Sequence, residues 1–333
     1  MIPQDIVHSN VSKSLSHLRD IYHQPFFDLI AEGRRVTTAN WPDHQMQLCT
    51  LLSVKTGGCS EDCGYCSQSA HHDTGLEAGK LMTSQEVLPH ALRAKANGST
   101  RFCMGAAWKG VRSGDKKFEV MLETVREVSK LGMEVCVTLG QLSDAEAEAL
   151  RDAGLTAYNH NIDTSPEHYS KIVTTHTFDD RLSTIGAVQR AGLHVCCGGI
   201  LGLGESEEDR LKMLEVLCNL TPPPESVPIN CLMPVAGTPL EDAQPVELFE
   251  LVRLIATARI ALPKSKIRLS AGRTHLTREG QTLCFFAGAN SIFYGEKLLT
   301  AGNPSSDEDL DLLRTLDLHP QPPFADRPEP AIA

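Results

Sequence analysis

The chain has 333 residues, 41% hydrophobic and 22% charged, so it can bury a large core and does not read as disordered. A net charge of −11 argues against a nucleic-acid or acidic-membrane partner; no run of about 18 apolar residues or secretory leader is visible, so a cytoplasmic protein is expected. Eleven cysteines, an odd number, favour metal, cluster or redox chemistry over a disulfide framework.

Residues 1–45 are polar and partly helical, with Phe26, Phe27, Leu29 and Ile30 as a docking face. Strands are expected at 46–54, 100–104, 133–138, 156–161, 194–199, 226–230, 267–270 and 290–293. The clearest helices are 118–131, 144–152, 181–191, 207–218 and 246–260. Ser143 is a suitable N-cap, and Gly132, Gly154 and Gly192 follow helix ends. Eight units of about 31 residues each have the size of βα repeats and predict an α/β protein, a closed (β/α)8 TIM-type barrel. An open doubly wound sheet is the alternative; it would normally show a Gly-rich dinucleotide turn after its first strand, where Gly57 and Gly58 lead into a cysteine instead. The barrel is assigned to residues 46–300, a helical extension to 1–45, and a C-terminal segment to 301–333. From Thr315 onward five of the nineteen prolines accumulate, which reads as an extended or disordered tail.

Directly after the first strand stand Cys59, Cys63 and Cys66, spaced C-x3-C-x2-C. Three thiolates on one loop suit zinc or an iron–sulfur cluster. No fourth local cysteine is evident; three ligands would leave a cluster iron open for catalysis, whereas a structural zinc would need closing by His71 or His72.

Side chains alternate faces along a strand. The apolar phase of each barrel strand must pack on helices, which leaves Arg101, Cys103, Cys136, Asn159, Asn161, Asp163, Asn230 and Arg268 facing the lumen. Buried polarity of that kind needs partners, and a bound anion or anionic cluster would supply them; the bland alternative has the cysteines as fillers and the polar groups bonding one another. At the adjacent Cys196 and Cys197, Cys197 shares the phase of Val195, so Cys196 points inward.

The three-cysteine motif with its aromatic Tyr65 resembles the radical S-adenosylmethionine superfamily, and the whole from about residue 35 to about 320 resembles the biotin synthase family. Residues 59–69, 105–108, 158–164, 198–205, 226–230, 268–273 and 287–296 carry the likeness. The resemblance implies a 4Fe–4S cluster on Cys59, Cys63 and Cys66, whose open iron chelates S-adenosylmethionine. It also implies a 2Fe–2S cluster, the sulfur donor, on Cys103, Cys136, Cys196 and Arg268. The implied reaction is sulfur insertion between C6 and C9 of dethiobiotin, giving biotin, with two molecules of S-adenosylmethionine consumed. Implied partners are an electron donor such as flavodoxin or ferredoxin and a second copy of the chain. Tyr65, Asn161, Asp163 and Arg181 would meet S-adenosylmethionine, with Asp163 on its ribose and Arg181 opening a helix beside its carboxylate. Asn159, Asn161 and Asn230 would meet substrate. Cys197 departs from the small polar residue usual in that family, and residues 235–237 lack a Lys expected near the substrate tail. Cys49, Cys218, Cys231 and Cys284 read as packing residues. The rivals are a single-cluster enzyme of the same barrel class and a zinc-stabilised binding protein; a lipoyl synthase would need an N-terminal cysteine set, absent from residues 1–48.

Overall fold

The computed structural model describes residues 13–322. Two helices, α1 (Leu15–Tyr22) and α2 (Phe26–Asn40), precede β1 (Gln45–Lys55). Then follow α3 (Ser84–Ala96), β2 (Arg101–Ala106), α4 (Lys116–Ser129), β3 (Glu134–Thr138), α5 (Asp144–Asp152), β4 (Ala157–Asn159), α6 (Pro166–Tyr169) and α7 (Phe178–Arg190). The second half runs β5 (His194–Cys196), β6 (Gly199–Leu201), α8 (Glu207–Asn219), β7 (Ser226–Cys231), α9 (Leu248–Ala261), β8 (Lys266–Leu269), α10 (Arg278–Ala287), β9 (Ser291–Phe293), α11 (Ser306–Thr315) and β10 (His319–Pro320). Strands β1, β2, β3, β4, β5, β7, β8 and β9 are neighbours in that order, and β1 pairs with β9 in parallel to close the barrel. The outer faces of the strands and the inner faces of the helices form one continuous apolar core. Among the described residues no helix is long and apolar enough to cross a membrane.

The expected fifth strand is split. Pairing with β4 and β7 ends at Cys196 and resumes as β6, which pairs with β7 and is bridged to Asp163 at Gly199. The break falls at Gly198, where a Cβ would come 2.0 Å from the Pro228 carbonyl oxygen. No side chain fits there, and Gly198→Ala is expected to yield largely insoluble protein, read as the soluble fraction on expression.

Helix ends follow their caps. Ser143 and Glu146 form a capping box at α5, and Gly132, Gly154 and Gly192 take positive φ as expected. Helix α7 starts earlier than read from sequence: Thr177 and Asp180 make a capping box, so the helix begins at Phe178 and Arg181 lies within its first turns instead of opening it. In α2, Leu29 and Ile30 are buried and Phe26 packs on the core, but Phe27 is 78% exposed. One residue further round the helix turns it off the face that Phe26, Leu29 and Ile30 share. The C-terminal segment read as a tail from Thr315 is ordered as far as it is described: Thr315 ends α11, and His319 and Pro320 pair with Gln45 and Met46. The rest of that tail, from residue 323, and residues 1–12 lie outside the described residues.

Glu146 also ties the β2–α4 connection to α5, accepting from Ser113 N and Oγ, both at 2.7 Å, and from Ser143 N at 3.0 Å. Burial opposes its charge, but these donors win and hold it at about 2, below the ordinary 4.5. A depressed carboxylate stabilises the fold above its ordinary value and loses that contribution as pH falls toward its folded value. Melting of the cofactor-free protein between pH 4.5 and about 2 is therefore expected to show a decline that Glu146→Ala flattens. At neutral pH the same substitution should cost about 1–2 kcal/mol.

Candidate active site inside the barrel

The three-cysteine loop leaves the C-terminal end of β1 and is folded by its own backbone. Cys59 N donates to Gln68 O at 2.9 Å, Ala70 N to Cys59 O at 2.7 Å, and Cys66 N to Cys63 O at 2.9 Å. Cys63 is buried and Cys59 and Cys66 half-buried; burial is the largest influence on all three thiols and pushes them up. His71 and His72, which could have closed a zinc site, each face a loop carbonyl through Nε2: Ser60 O at 3.1 Å and Cys63 O at 3.0 Å. Among the described residues no three His, Cys, Asp or Glu side chains surround a point that suits a single metal ion. Three soft donors on one loop, with both nearby histidines bonded to backbone, fit a bulkier iron–sulfur cluster better than a four-ligand zinc.

Tyr65, Asp163 and Arg181, far apart in sequence, converge beside that loop. Asp163 Oδ2 accepts from Tyr65 OH at 3.0 Å and from Arg181 Nη2 at 3.1 Å. Burial pushes the Asp163 carboxyl up, and Arg181 pulls against it. Burial likewise opposes the charge on Arg181, but Asp163 leads the groups that outweigh it and raise that guanidinium. Arg181 Nε then donates to Tyr169 OH at 2.7 Å, which contacts His176 Nε2 at 2.7 Å. His176 Nδ1 meets Glu61, a residue of the cysteine loop, and Lys109 Nζ lies 3.2 Å from the same carboxylate. A continuous polar chain thus joins Asp163 to the cluster loop. Asp163 has φ of 64°, unusual for a non-glycine residue and a sign of backbone held for a purpose. Its carbonyl is fixed by Ile200 N at 2.8 Å.

Deeper in the lumen, Cys49, Cys103, Cys136 and Cys196 form one buried group with Ala157, separate from the outer core. Cys197 belongs to the outer core, as its strand phase requires. Cys103 neighbours Cys49 and Cys136, and Cys136 neighbours Cys196. The adjacent Cys136, with Arg268 and Arg101 nearby, draws Cys196 down to about 6 against its burial. Arg268, fully buried, donates through Nε to Ser291 Oγ at 3.0 Å, through Nη2 to Gln47 Oε1 at 3.4 Å, and through Nη1 to Cys196 Sγ at 3.5 Å. Among the described residues no carboxylate pairs with it. A buried cation facing four thiols fits an anionic sulfur cluster.

Two readings from sequence need correction. Cys49 is a lumen thiol and not a packing residue; the alternation applied to β1 puts Gln47, Cys49 and Leu51 on one face and would have found it. Arg101 is in the lumen, but its charge is already met within the protein: Nε meets Glu134 Oε2 at 2.6 Å and Nη2 meets Glu225 Oε2 at 2.9 Å, which leaves Nη1 alone without a partner among the described residues.

The three asparagines are partly committed to the framework. Asn159 Oδ1 accepts from Thr138 at 2.9 Å, and its Nδ2 reaches Asn161 Oδ1 at 3.2 Å and Cys196 Sγ at 3.4 Å. Asn161 Oδ1 also accepts from Gly198 N at 3.1 Å. Asn230 bridges Gly199 O at 3.0 Å and Ala271 N at 3.2 Å. Glu205 closes the 198–205 loop by accepting from Gly202 N at 3.0 Å and Leu203 N at 2.6 Å.

Residues 53–217 match the Radical SAM superfamily, and residues 228–319 match the Biotin and Thiamin Synthesis associated domain. The biotin synthase of Azoarcus sp. (strain BH72) is 56% identical over 89% of this chain and 90% of its own. That of Myxococcus xanthus is 54% identical over 93% of this chain and 89% of its own. The chain belongs to the biotin synthase family. Among solved structures, methylornithine synthase is similar with a TM-score of 0.77 and 19% identity, covering 95% of this chain and 96% of that one. The FeFe-hydrogenase maturase HydG from Carboxydothermus hydrogenoformans has a TM-score of 0.78 and 19% identity, over 92% and 76%. These likenesses extend to the fold alone. For a biotin synthase family barrel, the deep ring of thiols and the mouth loop are the two places where its chemistry can reside.

Proposed function

We propose that this chain inserts sulfur between C6 and C9 of dethiobiotin to form biotin, with Cys59, Cys63 and Cys66 holding a 4Fe–4S cluster at the mouth and Cys103, Cys136 and Cys196, with Arg268 beside them, holding a 2Fe–2S cluster in the lumen. When bound, the clusters and S-adenosylmethionine supply the radical that breaks each C–H bond and the sulfide that replaces the hydrogens. The protein supplies orientation. Asp163, steadied by Tyr65 and Arg181, offers a carboxylate to the ribose hydroxyls, and the Asp163–Arg181–Tyr169–His176–Glu61 chain holds that site in register with the cysteine loop. Arg181, beside Asp163, is assigned to the cofactor carboxylate. Asn159, Asn161 and Asn230 are assigned to the substrate; the Nδ2 of Asn159 is committed to Asn161 and Cys196, and the amides of Asn161 and Asn230 keep hydrogens that suit its polar ring. A closed ring of eight strands screens the lumen from its sides.

The observation that carries this reading is the convergence of three thiols and a carboxylate-free buried guanidinium beneath a C-x3-C-x2-C loop. Anaerobic reconstitution with iron and sulfide should give spectra of both clusters, and the 2Fe–2S signal should decay in step with biotin formed from dethiobiotin. Biotin made while that signal stays whole overturns the donor assignment; zinc with neither iron nor sulfide overturns the enzyme. The proposal includes a homodimer, an electron donor of the flavodoxin or ferredoxin kind and a cytoplasmic setting, all on the strength of the family. Light scattering tests the dimer, and turnover with each purified donor tests the electron source.

A further inference from the structure

The polar chain from Asp163 to the cysteine loop has a direction, and one member sets it. We infer that His176 is a positioning residue for the cofactor carboxylate: as a neutral imidazole with its proton on Nδ1, it ties Tyr169 to Glu61 and so fixes how Arg181 faces the cofactor. The inference rests on the proposed assignment of Asp163 and Arg181 to S-adenosylmethionine and adds the residue that orients them.

Local structure places the ring. His176 directly precedes Thr177, the N-cap of α7, whose capping box with Asp180 fixes the chain there. Arg181 follows in the same helix, and Tyr169 ends α6. The His176 side chain is 5% exposed and packs edge-on against Tyr169, with ring centroids 5.8 Å apart.

Counting protons assigns the tautomer. A guanidinium can only donate, so the Tyr169 hydroxyl oxygen accepts from Arg181 Nε at 2.7 Å. Burial pushes the Tyr169 hydroxyl up, so it keeps its own proton. Among the described residues that proton has one acceptor, His176 Nε2 at 2.7 Å. Nε2 is therefore unprotonated, and the single ring proton sits on Nδ1, facing the Glu61 carboxylate, which accepts it. A second proton on the ring would aim two donors at the Tyr169 oxygen and leave the hydroxyl hydrogen without an acceptor. A histidine that merely filled space would not need both nitrogens matched, each by a partner of the opposite kind. The consequence falls on Arg181. It spends Nε on Tyr169 and Nη2 on Asp163, which leaves Nη1 without a partner among the described residues and open to an anion. With two of its three nitrogens held, the guanidinium plane is set before the cofactor arrives.

The test uses the full chain. In cofactor-free protein labelled with 15N at histidine, the His176 resonances, recognised by their loss in His176→Gln, should be those of a neutral ring protonated on Nδ1. His176→Phe fills the space without nitrogens. After anaerobic reconstitution it should keep wild-type iron and sulfide but bind S-adenosylmethionine about tenfold more weakly, read by equilibrium dialysis and by the cofactor concentration that alters the electron paramagnetic resonance of the reduced 4Fe–4S cluster. KM for the cofactor should rise with kcat changed by less than about twofold. His176→Gln, whose uncharged amide has both an acceptor and a donor, should recover most of the affinity. Tyr169→Phe should weaken binding as much as His176→Phe, and the double variant no further, because both cut one chain. A wild-type ring protonated on Nε2 or on both nitrogens overturns the inference, even where a variant fails to fold. So does His176→Phe with wild-type affinity, or His176→Gln no better than His176→Phe, while Asp163→Asn binds weakly; the cofactor reading then stands. Wild-type affinity in both Asp163→Asn and His176→Phe overturns the two together.

Discussion

Cys196→Ser is expected to abolish biotin formation while methionine and 5′-deoxyadenosine still accumulate from S-adenosylmethionine, whereas Cys197→Ser, one residue along, is expected to retain both reactions. The two side chains are equally buried but face opposite ways. Cys196 shares the inner ring with Cys136, Asn159 Nδ2 at 3.4 Å and Arg268 Nη1 at 3.5 Å. On the proposed assignment, removing its sulfur takes a donor from the lumenal cluster and leaves the mouth loop untouched. Cys197 packs among the apolar residues between barrel and helices. A serine there buries a hydroxyl in an apolar setting, at a cost of about 1–3 kcal/mol. Its effect should be a lower melting temperature with normal iron content. Product analysis by chromatography, beside metal and melting measurements, reads both variants; exchanged phenotypes would remove the basis for placing a cluster in the lumen.

The same alternation explains why so much of this site could be read from sequence. On β2, β3, β5 and β8 an apolar phase is clear, and the opposite phase gave Arg101, Cys103, Cys136, Cys196 and Arg268, all of which face inward or lie buried between strands. Cys49 escaped although Met46, Leu48, Leu52 and Val54 share one phase of β1 and Gln45, Gln47, Cys49 and Ser53 the other; Leu51 interrupts the polar phase and makes a buried thiol look like filler. Partnerships across the barrel were harder. Arg101 and Glu134 are register partners on β2 and β3, but register depends on how closed strands shear, which no local pattern states. The Glu61–His176 contact spans 115 residues and joins two loops whose approach is set by the finished barrel. Where the signal was local the sequence was informative but outranked at times: the cap at Thr177, not the apolar period, fixed the start of α7. The break after Cys196 came from close approach of Pro228, a tertiary contact that a continuous apolar run conceals.

Glu134→Ala is expected to destabilise the fold by about 3–5 kcal/mol, among the largest effects of any single substitution away from the cysteines. Glu134 is buried and accepts from Arg101 Nε at 2.6 Å and Gln47 Nε2 at 2.8 Å, with Lys266 Nζ at 3.9 Å. Arg101 and Lys266 also share Glu225, whose carboxyl is opposed by burial but held well below its usual range by those two cations. Two cations and two carboxylates therefore balance at one end of the lumen, and Arg268 stands nearby as a further positive charge. Deleting Glu134 leaves buried positive charge with one carboxylate, Glu225, to answer it. Replacing Arg101 and Glu134 together with methionine removes both charges, so the double variant should lose less than the two single variants summed, by more than about 1 kcal/mol. Urea denaturation of the cofactor-free protein supplies all four corners of that cycle. Additive losses would mean that the two side chains do not depend on each other, and that the polar layer is held by packing instead of by charge.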